Sequence, residues 1–224
     1  MMAKQVIAID GPSGVGKGTV ARAVAEILDT TYVDTGAMYR CVVLAALDAG
    51  VDLTDQVAMT NIASNMEFSI DGDQISLNGK DVTAAIRTQE VTAAIHYAAD
   101  NPQIRNILVR LQQDLASDVD VVTEGRDQGT VAFPNAECKI FLTASPGERA
   151  RRRQEQLRQQ GEQVELETIL ESQQTRDEQD EAREVGGLHA AVDAVHVVTD
   201  GMKQFEVVEH LERLVRIRCG TADG

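Results

Sequence analysis

The chain lacks the marks of several large protein classes. No apolar run approaches the roughly 20 residues that a membrane-spanning helix needs, so no span is expected. Its three cysteines, Cys41, Cys138 and Cys219, are scattered and form no Cys-x-x-Cys pair. That disfavours a disulfide framework or a thiolate metal site and fits a reducing cytoplasm. Positive charge is short: 21 Lys and Arg stand against 36 Asp and Glu, for a net charge of −15. General DNA or RNA binding needs a basic surface and is disfavoured. Lysine is confined to Lys4, Lys17, Lys80, Lys139 and Lys203. An anionic substrate must then be caught by arginines gathered locally, which are also the better bidentate partners of phosphate. Internal repeats, low-complexity linkers and an Asn-Lys-x-Asp guanine-reading motif are absent too. Met1-Met2-Ala3-Lys4-Gln5 leads directly into a short apolar run, so no signal peptide is expected. What remains is an ordinary soluble composition, 43% hydrophobic over 224 residues, enough for one domain with an insertion.

The most informative stretch is Val6-Ile7-Ala8-Ile9 followed by Asp10-Gly11-Pro12-Ser13-Gly14-Val15-Gly16-Lys17-Gly18-Thr19. The four apolar residues read as a buried parallel strand. Val20, Val24, Ile27 and Leu28 then recur at helical spacing. A strand, a Gly-rich loop and a helix in that order form a phosphate-binding loop. Backbone N–H groups and the helix start face an anion there, and Lys17 adds a mobile positive charge. One departure from the usual pattern is Gly18 where Ser or Thr is common, with the hydroxyl one residue later at Thr19.

Further along, Thr31–Asp34 reads as a second strand and residues 37–49 and 53–65 as helices. Phe68 and Ile70, then Ile75 and Leu77, alternate with polar neighbours around Asp71-Gly72 and Asn78-Gly79. This predicts a small antiparallel meander over residues 66–82. Helices are expected over 90–98 and 102–115, core strands over 120–124 and 139–143, and a helix opened by Ser145-Pro146-Gly147-Glu148. A polar helix over 165–184, a fifth core strand over 195–199 and a closing helix through Phe205, Val208, Leu211 and Val215 complete the chain. The fold class is α/β, a five-stranded parallel sheet wrapped by helices with a small antiparallel insertion, its ligands at the carboxyl ends of the strands.

Those strand ends carry a polar set: Asp34, Thr35, Tyr39 and Arg40 after the second strand, and Glu124, Arg126 and Asp127 after the third. Arg176, Asp180 and Arg183, spaced i, i+4, i+7, share one helix face. Alone, such a ladder reads as a solvated salt-bridge network. Its occurrence beside a phosphate loop favours a site.

Taken together, DGPSGVGKGT, VDTGAMYR, IRTQEV, EGRDQGTVAFPNAECKIFLTAS and TRDEQDEAR resemble the bacterial cytidylate kinases over residues 6–198. The resemblance implies a single phosphate-loop kinase domain over residues 1–224, with a monophosphate-binding insertion at 41–88 and a mobile helical lid at 149–165. It implies transfer of the terminal phosphoryl group of ATP to CMP or dCMP with Mg²⁺, in a cytoplasmic monomer. Gly11 through Thr19, with Arg149 and Arg153, would bind ATP, and the Thr19 hydroxyl, helped by Glu124 through water, would contact the metal. Lys17, Arg126 and Arg183 would be catalytic. Arg40, Arg126 and Arg183 would hold the acceptor phosphate, with Thr35 and Tyr39 beside them; Arg176 and Asp180 would contact the sugar, and Arg105 and Asp127 would read the base. An Arg facing cytosine O2 and N3 and a carboxylate facing N4 complement that base and not uracil. His96 aligns with a base-contacting serine of the family, and Gly186-Gly187 replaces a segment that usually holds proline, a change expected to loosen the chain after Arg183. The rival readings are a kinase for UMP or another small acceptor such as shikimate, a GTP-driven switch, and an inactive nucleotide-binding protein. The intact Lys17 and acceptor arginines stand against the last.

Overall fold

Parallel pairing dominates one half of the molecule and antiparallel pairing is confined to the other. A computed structural model describes residues 4–159 and 161–220. Met1–Ala3, Gln160, which falls in the segment expected to form the lid, and the last four residues lie outside the described residues. The chain divides into two compact units: residues up to Tyr32 with those from Asp118 onward, and Val33–Ser117.

The first unit is built on a five-stranded sheet. In chain order its strands are β1 (Val6–Asp10), β2 (Thr31–Asp34), β6 (Val121–Gly125), β7 (Cys138–Thr143) and β8 (Val195–Val198), arranged β2-β6-β1-β7-β8. β1 runs parallel to both β6 and β7, with Asp10 opposite Gly125 and Phe141. β1 is apolar from Val6 to Ile9 and buried from Ile7 on, as a central parallel strand should be, and ends in the buried Asp10. Ile7, Ile9, Val122, Ile140 and Leu142 meet Val20 and Val24 of α1 (Lys17–Leu28) and Val208, Leu211 and Val215 of α8 (Gln204–Arg218) in one core. Two more helices, α6 (Pro146–Gln159) and α7 (Leu166–Ala182), pack on each other around Ala150, Leu157 and Ile169.

The second unit holds α2 (Thr35–Asp48), α3 (Gln56–Asn65), α4 (Gln89–Ala99) and α5 (Pro102–Leu115). It also holds the antiparallel meander β3 (Phe68–Asp71), β4 (Gln74–Leu77) and β5 (Lys80–Asp81). Asn78 and Gly79, both left-handed, make the two-residue turn between β4 and β5. The core gathers Met38 and Val42 from α2, Met59 from α3, Ile75 and Leu77 from β4, and Ile104 and Leu108 from α5.

Helix starts differ from the periodicity reading where a cap decides them. Expected from residue 37, α2 begins at Thr35 because the Asp34 carboxylate accepts from Ala37 N at 3.0 Å. Expected from residue 53, α3 waits until Gln56 because Asp55 accepts from Val57 and Ala58 N. Among the described residues no helix is long and apolar enough to cross a membrane.

Candidate functional site

The phosphate loop lies between β1 and α1. At Gly11 the backbone is left-handed (φ 154°), and a Cβ there would stand 2.1 Å from the carbonyl oxygen of Leu142 in β7. Only glycine lets the chain leave the sheet at this point. Gly16 caps α1 without a side-chain bond, so the first amides of the helix face the loop. Lys17 is buried, and its Nζ donates to Pro12 O at 2.9 Å. Burial, and next the nearby Arg126, push its ammonium down to about 7, while Glu124 and Asp10 pull the other way. Asp10 itself is pushed up to about 6 by burial, against two backbone hydrogen bonds.

β6 ends in Glu124 and Gly125, and the chain then folds into a wide π-type turn over Gln128–Ala132. Asp127 O accepts from the amides of Thr130, Val131 and Ala132, and the Asp127 side chain is buried. Arg126 Nε donates to Asp180 Oδ2 at 2.7 Å, and Arg183 Nη2 donates to Asp180 Oδ1 at 2.9 Å. One carboxylate on α7 thus ties two arginines together. Burial opposes ionisation of Asp180, yet Arg126, Arg183 and Arg176 outweigh it and hold the carboxyl below its ordinary range.

At Gly186-Gly187 the chain turns back on the end of α7. Leu188 N returns to Asp180 O at 2.9 Å, and a Cβ at Gly187 would stand 2.7 Å from Arg183 O.

α6 and α7 also reach the loop. Arg149 is buried, and its Nη1 donates to Ser13 O at 2.9 Å and to Asp177 Oδ2 at 2.6 Å. Asp177 Oδ1 accepts from Ser13 N at 3.2 Å. Arg152 donates to Val15 O and to Thr199 O and Oγ1. Arg153, expected beside Arg149, turns instead to Gln156 at 2.8 Å. Arg152 and Asp177 were not singled out from sequence. Their signal is spacing, since Arg152 is i+3 from Arg149 and Asp177 directly follows Arg176.

Within the second unit, Arg40 Nη1 donates to Ile86 O at 3.1 Å and to Thr92 Oγ1 at 2.7 Å. Buried Thr35 opens α2, and Tyr39 lies one turn along. Arg105 is buried, donates to Ala99 O at 3.0 Å and stacks over the Tyr39 ring at 5.5 Å. His96 faces the carbonyl of Ala93 with Nδ1 at 2.9 Å and rests against Tyr97. A carbonyl only accepts, so Nδ1 is the donor of this contact, and in the neutral tautomer that makes it Nε2 is the acceptor.

Among the described residues no group of three or more His, Cys, Asp or Glu is arranged to hold a metal. Mg²⁺ keeps several waters and takes one or two protein oxygens beside nucleotide phosphates. The hard oxygen donors on hand are the exposed Thr19 at the start of α1 and Glu124, whose Oε1 is 3.5 Å from where a Cβ of Gly18 would stand.

Comparison with known proteins gives a consistent result. The family profile described as Cytidylate kinase matches residues 7–217. A cytidylate kinase of Rhodopirellula baltica is 48% identical over 94% of this chain and 92% of its own. One from Mycobacterium avium is 44% identical over 99% of this chain and 100% of its own. Among solved structures, a gluconokinase from Sinorhizobium meliloti is similar with a TM-score of 0.50 at 17% identity. That alignment covers 98% of this chain and 95% of that one, a likeness of fold alone.

Proposed function

The chain belongs to the cytidylate kinase family, and from that membership we propose that it transfers the terminal phosphoryl group of ATP to CMP or dCMP, giving ADP and CDP or dCDP. As a member it is an ATP-dependent phosphotransferase of the nucleoside monophosphate kinase kind. One charge network carries the proposal. Lys17 of the phosphate loop feels Arg126, and Arg126 is tied through Asp180 to Arg183, so donor-side and acceptor-side cations of the first unit form one set.

An oxygen of the acceptor phosphate attacks the terminal phosphorus of ATP. A new O–P bond forms while the bond to the β–γ bridging oxygen breaks, and that oxygen's electrons leave with ADP. The nucleophile is already anionic, so no protein base is required. Lys17 neutralises charge that develops at the transferring group. Arg126, Arg183 and Arg40 hold the acceptor phosphate, and Arg176 and Asp180 contact its sugar. Arg149, which donates to Ser13 O of the phosphate loop, neutralises charge at the ATP phosphates, and Arg153 one turn on would leave Gln156 to join it there when the site closes and excludes water. Mg²⁺ supplies charge neutralisation at the nucleotide phosphates; Thr19, and Glu124 through water, would hold it.

Base choice is assigned to Arg105 and Asp127, with His96 Nε2 able to accept from the cytosine N4 amine. The test is an ATP-coupled assay over CMP, dCMP, UMP, AMP, GMP and shikimate. CMP and dCMP should give the highest kcat/KM. A higher value for UMP or AMP than for both cytidine nucleotides would refute the assignment.

A further inference from the structure

Asp10 is buried at the end of β1, directly before the phosphate loop, yet neither of its side-chain hydrogen bonds goes to that loop. Oδ1 accepts from Gln128 N at 2.9 Å and Oδ2 from Gly129 N at 2.8 Å. Those amides open the wide turn that follows Arg126 and Asp127. The turn has a second tether, since Thr123 Oγ1 of β6 donates to Gln128 Oε1 at 2.8 Å. Both strands that flank the turn's root therefore hold it from below: Asp10 reaches across from β1, and Thr123 reaches forward from β6.

From this geometry we infer that Asp10 is a positioning residue for the acceptor: by clamping the Gln128 and Gly129 amides it aims Arg126 and Asp127. A buried carboxylate is costly unless its oxygens are well satisfied, and here Oδ1 serves one of two adjacent N–H groups and Oδ2 the other, a pairing that an isostere with a single acceptor oxygen does not reproduce. Asparagine would accept from one and turn its own NH₂ group toward the other. The charges nearest Asp10 are Lys17, which favours its ionised form, and Asp127, which opposes it. The inference rests on the proposed acceptor roles of Arg126 and Asp127.

The experiment compares wild type with Asp10→Asn and Thr123→Val, measuring KM for CMP at saturating ATP and KM for ATP at saturating CMP. Asp10→Asn should raise KM for CMP about tenfold, the scale of one hydrogen bond to a charged group, and leave KM for ATP within about twofold. Thr123→Val should shift the same constant by less, and it carries the test if Asp10→Asn does not fold. Equal rises in both constants, or no rise in either, would overturn the inference, because a merely structural lesion beside Gly11 strikes the phosphate loop first. Native-state hydrogen exchange gives a readout that needs no acceptor. The Gln128 and Gly129 amides should exchange faster in Asp10→Asn while those of Gly14 and Gly16 keep their wild-type rates; unchanged rates at Gln128 and Gly129 would also overturn it. Failure of wild type to phosphorylate CMP counts against the proposed function alone, since the exchange result still decides the role of Asp10.

Discussion

Lys17 and Asp10 are seven residues apart, and burial shifts their ionisation in opposite directions, the base down and the acid up. The Asp10 shift makes a stability prediction whose sign is fixed. Its pKa rises from an ordinary 3.8 to about 6 on folding, so the stability this group allows is fully present below 3.8 and is lost as pH climbs through 6. Asp10→Asn has no such titration. Relative to wild type, the variant should therefore gain about 2 kcal/mol of unfolding free energy between pH 4.5 and pH 7. Denaturant melts of both proteins at the two pH values measure the difference, and a constant difference would contradict the shift. At this scale the sequence was clear about Lys17, because strand, glycines and helix surround it in a fixed order. It was silent about Asp10, whose partners are backbone amides more than a hundred residues away. Pairing across a sheet leaves no local trace.

Elements were legible wherever period and cap agree. The meander was readable because Asn78-Gly79 demands a left-handed pair, and α5 because Asn101 and Pro102 mark its first turn. The turn over Gln128–Ala132 was not legible, since its wide π-type hydrogen bonding has no period and depends on Asp10 from another strand. Asn101 is the cap with the most to lose. Its Oδ1 accepts from Gln103 and Ile104 N, and its Nδ2 donates to Gln56 O and Thr60 Oγ1 of α3, all beneath a surface that leaves it 3% exposed. Asn101→Ala should cost about 2 kcal/mol, the upper end for a cap, because it also strands α3 acceptors. Thermal denaturation checks it, and a loss under about 0.5 kcal/mol would show that water replaces the cap.

On the scale of the whole molecule, the two larger cores among the described residues form around the five-stranded sheet and around α2 and α5, beside the small cluster of α6 and α7. Periodicity told which face of each helix is apolar but not which core that face joins, because several neighbours of equal hydrophobicity compete for it. The net charge of −15 was plain from composition and has a global consequence. Like charges in excess on a folded chain repel at low ionic strength, where the screening length is about 30 Å at 0.01 M and falls to about 8 Å at 0.15 M. Raising NaCl across that range should raise the melting temperature by a few degrees, on the order of 1 kcal/mol. A melting temperature that stays flat or falls would mean that the arginine–carboxylate pairs, such as Arg126–Asp180 and Arg149–Asp177, lose to screening as much as the surface gains.

Gly11 and Lys17 answer to different masters. In the proposed function Lys17 is held for the anion it would meet; on a scaffold released from nucleotide binding, its buried ammonium would be a burden that drift could discard. Gly11 would persist under the same relaxation, because what forbids a side chain there is the Leu142 carbonyl of the neighbouring strand and not a phosphate. In a descendant that had abandoned its chemistry, the first glycine of the motif would outlast the lysine, a fossil of the sheet rather than of the reaction.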